Sequence, residues 1–311
     1  MMTGELDFIQ SLRDLASSAA ARGLRDDVAV LGELVLTHDM IAEGIHYLAG
    51  DPPESVAAKL VAETLSDLAA KGATPVGVLL GYCLGDGDWD RRFVAGLEKT
   101  LTDYDCALLG GDTIGLLAGA PRVLGLTAIG RAGPRVPDRS GGKPGDGLWL
   151  VGTLGDSAAG LAQLLRDPGA EGLLVEAYRR PRALVAEGRA LAPHASAMMD
   201  VSDGLLIDAR RLAEASGVKG IINLDALPLT DAFQSAQSDD KTARLFAATA
   251  GDDYALLAAL PSGTEGAVTK SLPCGAHLVR IGKLVAGAGV ALLDHGEPVD
   301  LPEHLGHEHR T

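Results

Sequence analysis

Several apolar segments of this chain end in aspartates whose carboxylates could act together. The segment MMDVSDGLLID, residues 198–208, places three aspartates among Met, Val, Leu and Ile. Burying a carboxylate costs free energy unless a partner compensates for its charge. Oxygen ligands without a supporting His and Cys cluster suit Mg²⁺, which binds through a few carboxylates together with substrate phosphates. The aspartates at or near the ends of predicted strands are Asp26, Asp27, Asp39, Asp112, Asp200 and Asp203.

Each of these polar residues also has a simpler structural interpretation when it is taken alone. Asp favours turns and helix N-termini, so Ser202 or Asp203 could cap the helix that follows. Asp208, one turn into that helix, is compatible with the helix dipole and is expected at the surface or behind a site. His38 and His46 are more often surface or hydrogen-bonded structural histidines than catalytic ones. The metal hypothesis therefore requires that five or six aspartates converge.

Asp67 lies on a predicted helix in a charged repeat with a spacing of four residues. This repeat stands opposite the apolar stripe of the helix, and its other members are Lys59, Glu63 and Lys71. Such spacing is typical of a solvent-exposed face with ion pairs. Periodicity alone therefore favours a surface role for Asp67.

The usual nucleotide-binding fingerprints are absent from the sequence. SGGKPGD, residues 140–146, contains Gly-Lys, but Pro144 stands where a P-loop needs Ser or Thr. GTLGDSAAG, residues 152–160, is predicted to run from a strand into a helix, where backbone N–H groups could bind an anion. The simpler alternative is a glycine turn with Asp156 or Ser157 as the helix N-cap.

Composition and charge narrow the range of functions. The 311 residues carry a net charge of −15, which makes nucleic acid or an anionic membrane an unfavourable partner. No apolar run reaches the roughly 18 residues of a membrane span, and the acidic, amphipathic N-terminal segment is unlike a signal peptide. The three cysteines, Cys83, Cys106 and Cys274, are widely spaced and odd in number. They predict a cytoplasmic protein without a disulfide framework or a zinc site.

The order of the predicted elements favours two α+β domains over one doubly wound sheet. Gly, Pro and Arg crowd residues 131–147, and we place an N-terminal domain at 1–135, a linker at 136–144 and a C-terminal domain at 145–311. Strands are predicted at 26–31, 34–40, 76–84, 106–113, 122–131, 148–155 and 197–201. Helices are predicted at 6–17, 53–72, 89–104, from 156, and at 171–179, 182–191 and 204–216.

Eight segments, in order along residues 5–300, resemble the thiamine-monophosphate kinase family. They are DDVAVL, THDMIAEGIHYL, TLSDLAAKGATP, LLGGDT, RSGGKPGD, GTLGDSAAGL, DVSDGLLID and GDDYALL. The family belongs to a superfamily with aminoimidazole-ribonucleotide synthetase and selenophosphate synthetase. The resemblance implies a two-domain PurM-like fold of mixed α+β type, whose N-terminal domains pair in a homodimer with each active site close to the interface.

The resemblance also implies Mg²⁺-dependent transfer of the ATP γ-phosphate to thiamine monophosphate, giving thiamine diphosphate and ADP. By position it implies a site for several Mg²⁺ ions at Asp27, Thr37, His38, Asp39, Asp67, Asp112, Asp200 and Asp203. It implies ATP contacts at Tyr104, Gly111, Asp112, Arg139 and Ser202, with Asp203 and Arg139 also taking part in catalysis. It implies acceptor contacts at His46 and Asp252. For Asp67 this outweighs the interpretation from periodicity.

The sequence departs from the family pattern mainly at the expected acceptor end. GDDYALL stands in place of GEDYEL, so the shorter Asp252 replaces Glu and a carboxylate is lost at Ala255. Arg25 replaces a usual small residue, and His38 replaces a usual small hydroxyl residue. Two alternatives to the kinase therefore stay open: a nucleotide-binding regulatory paralogue, or a related ATP-dependent enzyme that acts on another small acceptor.

Overall fold

A computed structural model describes residues 5–117 and 119–308 of the chain. Five strands form a first sheet in the order β1-β2-β5-β3-β4, in which only β3 and β4 pair in parallel. The elements of this part are α1 Glu5–Leu12, a 3₁₀ helix Ala19–Leu24, β1 Ala29–Leu31, β2 Leu34–Ala42, α2 Pro53–Ala70, β3 Thr74–Leu84, α3 Gly87–Asp103, β4 Ala107–Gly115 and β5 Val123–Arg131.

Seven strands form a second sheet in the order β12-β11-β8-β10-β6-β9-β7. Its strands are β6 Gly147–Val151, β7 Ala197–Val201, β8 Lys219–Asn223, β9 Ala255–Leu260, β10 Leu278–Val285, β11 Gly289–Asp294 and β12 Glu297–Val299. Its helices are α4 Asp156–Arg166, α5 Leu173–Arg179, α6 Val185–Leu191, α7 Leu205–Ser216, α8 Asp231–Gln237, α9 Lys241–Thr249 and α10 Glu265–Ser271, with a 3₁₀ turn at Leu224–Ala226. Mixed helices and mainly antiparallel sheets confirm the predicted α+β class.

Most predicted elements appear within a few residues of their expected bounds, and two at the N-terminal end differ. The helix predicted at 6–17 ends at Leu12. Phe8 and Leu15 are exposed, so no apolar packing holds a longer helix in place. The first strand begins at Ala29, where pairing with Leu36 of β2 begins, and Asp26 and Asp27 before it form ion pairs with Lys71.

Helix α2 is the element that joins the two parts of the molecule. The helix begins at Pro53, where the missing backbone N–H leaves no helical hydrogen bond unmade. Gly72, whose backbone is in the left-handed region, follows its end. One side packs on β2, β5 and α3, and the other packs against α6 and β7 of the second part. A Cβ at Gly72 would lie 2.3 Å from Ala192 Cβ, so the two parts meet closely there.

The charged repeat of α2 is therefore buried, and the predicted solvent-exposed face is wrong. Lys59 and Lys71 are 1% and 0% exposed, and Glu63 is 8% exposed. The cause lies outside the helix, because elements from the second part cover the face opposite the apolar stripe. Burial of these charges requires partners, and the partners define the candidate site.

Strand β4 lies at the edge of the first sheet, and all its residues are exposed. Its apolar side chains include Leu108, Leu109 and Ile114. Among residues 5–117 and 119–308, the helices are too short or too polar to cross a membrane.

Candidate active site

A cavity of about 390 Å³ opens between α2, the start of α4 and the end of β7. Both parts of the molecule contribute to its walls. Seven of the residues singled out from the sequence line it, namely Asp39, His46, Asp67, Asp200, Ser202, Asp203 and Asp252. Glu63, Ser157 and Tyr254 also line it. Ser157 lies in the segment 152–160, where backbone N–H groups could bind an anion, and the sequence pattern predicts no binding role for Glu63 and Tyr254.

Three aspartates from distant segments form a compact cluster at one end of the site. Carboxylate oxygens of Asp27, Asp67 and Asp200 all lie within 4.8 Å of one another. Asp27 precedes β1, Asp67 lies on α2 and Asp200 lies on β7. Ser66 donates a hydrogen bond of 2.6 Å to Asp200 Oδ2, which orients that carboxylate. The structure thus brings together three of the aspartates that the resemblance placed in a metal site.

The cluster carries more negative charge than its surroundings neutralise. Burial, together with the charge of Asp27, raises the pKa of Asp39 to about 6 and that of Asp200 to about 7. Burial and the neighbouring carboxylates also raise the pKa of Asp67 well above its usual range. Asp39 Oδ2 is buried without a hydrogen-bond partner among the described residues. A divalent cation would supply both the missing charge and a partner for that oxygen, so the residues present fit Mg²⁺.

Asp27 differs because cations surround it. Lys71 Nζ lies 2.7 Å from Asp27 Oδ2 and 2.5 Å from Asp26 Oδ1, and Arg139 pairs with Asp27 Oδ1. Burial alone would raise the pKa of Asp27, but Lys71 and Arg139 outweigh it and hold the pKa well below its usual range. Lys71 also donates to the Met198 carbonyl at 3.0 Å, which ties the end of α2 to β7.

Strand β2 sends Thr37 and His38 to opposite faces. The Thr37 hydroxyl donates a hydrogen bond to Asp67 Oδ2, so Thr37 belongs to the cluster. His38 is exposed, and its Nδ1 lies 2.9 Å from Thr127 Oγ1 on the neighbouring strand. Because side chains alternate across a strand, Thr37 and Asp39 cannot share a face with His38. The structure therefore brings Thr37 to the carboxylates and not His38.

Three residues predicted to contact nucleotide lie away from the cavity. Asp112 and Gly111 are exposed on edge strand β4. A Cβ at Gly111 would lie 2.0 Å from the Leu80 carbonyl oxygen, so the close approach of β3 requires glycine there. The Tyr104 hydroxyl accepts a hydrogen bond of 2.8 Å from the amide of Ala183. In this chain Tyr104 thus connects the end of α3 to the segment before α6.

Asp208 holds the loop that carries Ser202 and Asp203. It is fully buried, and its Oδ2 accepts hydrogen bonds from the amides of Ser202 at 3.2 Å and Asp203 at 3.1 Å. Arg211 lies 2.8 Å from Asp208 Oδ1 and 2.5 Å from Asp203 Oδ2. Of the two positions predicted for Asp208, the one at the surface is therefore wrong, and the one behind the site is correct. Gly204 is the N-cap of α7, so neither Ser202 nor Asp203 caps that helix.

The N-terminus of α4 already has an anionic partner within the chain. Its N-cap is Gly155, in the left-handed region with φ of 83°, so the expected cap at Asp156 or Ser157 is wrong. The amide of Gly155 donates a hydrogen bond of 2.8 Å to Asp253 Oδ2. Asp253 of GDDYALL thus links this turn to the segment before β9.

The expected acceptor residues lie at the other end of the same cavity. Asp252 has a left-handed backbone with φ of 66° and a side chain that is 31% exposed. Lys59 Nζ lies 2.7 Å from its Oδ2, and the Tyr254 hydroxyl lies 3.0 Å from its Oδ1. His46 Nδ1 accepts a hydrogen bond of 3.1 Å from the Ala42 amide. Lys59 and Glu63 carry a sequence signal, the spacing of four with Asp67, but that spacing is typical of an exposed face and does not identify a buried site.

Two family models cover most of the chain. Residues 25–132 match the N-terminal domain of AIR synthase related proteins, and residues 143–295 match their C-terminal domain. With an acidic cavity between two mixed sheets, the chain is of the AIR synthase related class, and the predicted PurM-like fold is confirmed.

Curated relatives and solved structures define the family within that class. The chain is 37% identical over 304 residues to a thiamine-monophosphate kinase of Caulobacter vibrioides, covering 93% of this chain and 85% of the relative. It is 36% identical to one of Salmonella typhimurium, covering 82% of each. A structure described as AaThiL complexed with AMPPCP and TMP superposes with a TM-score of 0.84 at 29% identity, covering 98% of this chain and 97% of that one. The chain belongs to the thiamine-monophosphate kinase family.

Proposed function

We propose that this chain is a thiamine-monophosphate kinase that transfers the ATP γ-phosphate directly to thiamine monophosphate, giving thiamine diphosphate and ADP. The observation that carries the proposal is the convergence of Asp27, Asp67 and Asp200 within 4.8 Å. Asp67 and Asp200 line the same cavity as His46 and Asp252. The relatives' names and the structure with AMPPCP and TMP support the same donor and acceptor.

Several Mg²⁺ ions are proposed at the carboxylate cluster. The residues that would hold them are Asp27, Thr37, Asp39, Asp67, Asp200 and Asp203, and Asp112 on edge strand β4 would join them through the dimer proposed below. His38 is not among these residues, because its ring lies on the opposite face of β2. Bound Mg²⁺ would screen the donor and acceptor phosphates from each other and stabilise charge on the transferred group.

The protein side chains then position the reactants. The nucleophile is already a phosphate oxygen, so no strong general base is needed, and in-line transfer requires mainly orientation and charge stabilisation. Arg139 neutralises negative charge on the donor phosphates, and Ser202 contacts ATP from the loop that Asp208 holds. His46 and Asp252 bind the acceptor at the far end of the cavity.

A homodimer built through the first sheet is the proposed assembly. The exposed apolar residues of edge strand β4, among them Leu108, Leu109 and Ile114, support it, because an unpaired apolar edge favours association. Gly111 and Asp112 lie on the same strand, and in a dimer they would reach an active site at the interface. Tyr104, at the end of α3 just before this strand, remains a proposed nucleotide contact.

We also propose a localisation and a domain organisation for the chain. The cysteines of the described chain are unpaired, which supports a reducing, cytoplasmic environment. The gap between the two family models, from 132 to 143, supports domains at 1–135 and 145–311 with a linker at 136–144.

The test is an assay of the purified protein with Mg²⁺, ATP and thiamine monophosphate. Chromatography is expected to show thiamine diphosphate and ADP in equal amounts, with both lost when EDTA removes divalent metal. Tight ATP binding without thiamine diphosphate would instead support the regulatory paralogue. ADP formed only with another phosphorylated acceptor would support the third alternative.

A further inference from the structure

We propose that Glu63, Tyr254 and Lys59 form a hydrogen-bonded chain that positions the Asp252 carboxylate for the acceptor, with Glu63 in its protonated form. These three residues act through Asp252 and are positioning residues. The acceptor role rests on the proposed function, whereas the protonation of Glu63 can be tested without it.

Lys59 supplies the charge that orients Asp252. Its ammonium group lies 2.7 Å from Asp252 Oδ2 and 4.2 Å from the centroid of the Tyr178 ring. A cation over an aromatic face is stabilised, and the effect is larger when the cation is removed from water. Lys59 is 1% exposed while the Asp252 side chain is 31% exposed. The cation is thus fixed inside the protein, and the carboxylate it holds faces the cavity.

The proton on the Tyr254 hydroxyl determines the state of Glu63. This hydroxyl contacts both Glu63 Oε1 and Asp252 Oδ1, but it has one proton and can donate to only one of them. If both carboxyl groups were ionised, the Tyr254 proton would serve one of them, and the other contact would join two hydrogen-bond acceptors without a proton between them. Asp252 Oδ2 accepts the hydrogen bond of Lys59 and its Oδ1 that of Tyr254, so in the proposed chain Glu63 carries the proton and donates it to the Tyr254 oxygen.

Burial acts on Glu63 in the same direction. It raises the pKa of Glu63 to about 8, against opposing effects of the Lys59 charge and of the Tyr254 hydrogen bond and with a further increase from the Asp252 charge. Asp39 is the other carboxylate whose charge raises the pKa of Glu63. A neutral Glu63 leaves Asp252 and Lys59 as a balanced pair, so the acceptor end has no surplus buried charge.

The backbone of Asp252 is fixed by a different part of the molecule. Its amide donates a hydrogen bond of 2.8 Å to the Ser202 carbonyl, and the Tyr254 amide donates one of 2.8 Å to Val201. The loop after β7 therefore sets the main chain of Asp252, while α2 sets its side chain. Acceptor binding should consequently depend on α2 residues that do not contact the reacting phosphates.

Steady-state kinetics with matched variants test the positioning role. Lys59→Met and Tyr254→Phe are each expected to raise the KM for thiamine monophosphate about tenfold or more, with the ATP KM changed less than about twofold. Lys59→Arg should restore much of the loss, because it keeps the cation. The matched control is Tyr178→Phe, which keeps the ring beneath Lys59 and should leave both KM values within about twofold.

Purely structural roles predict a different pattern. Lower melting temperatures for Lys59→Met and Tyr254→Phe with both KM values unchanged would overturn the positioning role. An equal rise of both KM values would overturn it as well, because the effect would not be confined to the acceptor end.

Infrared spectroscopy tests the protonation of Glu63 without any turnover. Wild-type protein near neutral pH should show the carbonyl stretch of a protonated carboxyl group that Glu63→Gln lacks. Gln also reproduces a neutral donor, so Glu63→Gln should raise the acceptor KM much less than Glu63→Leu. No difference in the protonated-carboxyl band between wild type and Glu63→Gln would overturn the protonation. Wild-type protein that makes no thiamine diphosphate would overturn the kinase function and the acceptor role, but not the infrared result.

Discussion

Replacing Asp208 with Asn tests whether this buried carboxylate holds the loop of Ser202 and Asp203. The Asn oxygen can still accept the two loop amides that Asp208 Oδ2 accepts at 3.2 and 3.1 Å. The Asn amide group must then face Arg211, which donates to Asp208 Oδ1 at 2.8 Å. Two donors would meet there, so a charge-assisted hydrogen bond is lost and the side chain shifts.

The expected loss of stability follows from that contact. Hydrogen bonds to charged groups contribute about 1.5–3 kcal/mol, and leaving a buried group unsatisfied costs a similar amount. Arg211 keeps its second partner, Asp203 Oδ2 at 2.5 Å, which places the effect near the lower half of that range. We expect the free energy of unfolding to fall by about 2 kcal/mol, or roughly 30-fold in the folding equilibrium constant. Displacement of the loop should also lower kcat/KM by roughly 10- to 100-fold.

Urea unfolding followed by circular dichroism measures the first effect, and the assay of thiamine diphosphate formation by chromatography measures the second. Asp231→Asn is the matched control, because Asp231 also lies in the first turn of a helix but is exposed. It should change stability by no more than about 0.5 kcal/mol. If Asp208→Asn resembled Asp231→Asn in both measurements, the loop would not depend on Asp208. Lower stability with unchanged kcat/KM would show that the loop is outside the active site.

Asp203→Asn should lower kcat at least about 100-fold, roughly 3 kcal/mol, because it removes a charge facing the proposed metals; a loss below tenfold in a folded variant would contradict that role. Asp252→Ala should raise the KM for thiamine monophosphate by the equivalent of about 1–3 kcal/mol and leave the ATP KM nearly constant. A lower melting temperature with both KM values unchanged would show that Asp252 stabilises the turn and does not bind the acceptor. In EDTA-treated protein the melting temperature should fall as pH rises from about 4 to about 7, because Asp39 and Asp200 keep their protons in the folded protein up to pKa values of about 6 and 7, whereas the unfolded chain loses them at about pH 4. Added Mg²⁺ should counter this loss, and a melting temperature that stayed level or rose across this range would refute the assignment.

The sequence by itself determined the local elements and the residue types available for chemistry. Pro53 and Gly72 bracket α2 as their backbone preferences require, and the turn at Gly32 and Glu33 joins β1 to β2 in an antiparallel hairpin. Alternation along β2 also contained the information that Thr37 and Asp39 share a face while His38 does not. These are short-range effects, which depend on residues a few positions apart.

Only the tertiary structure decided which of the candidate residues act together. Periodicity along α2 could not distinguish an exposed charged face from a buried one, because the covering elements α6 and β7 lie more than a hundred residues away. The same holds for Asp208, whose helix position is compatible with the surface and whose burial comes from packing around β7. The meeting of Asp27, Asp67 and Asp200 joins three segments that share no local pattern. Their proximity depends on how the two sheets pack across α2. No short segment of the sequence contains that information.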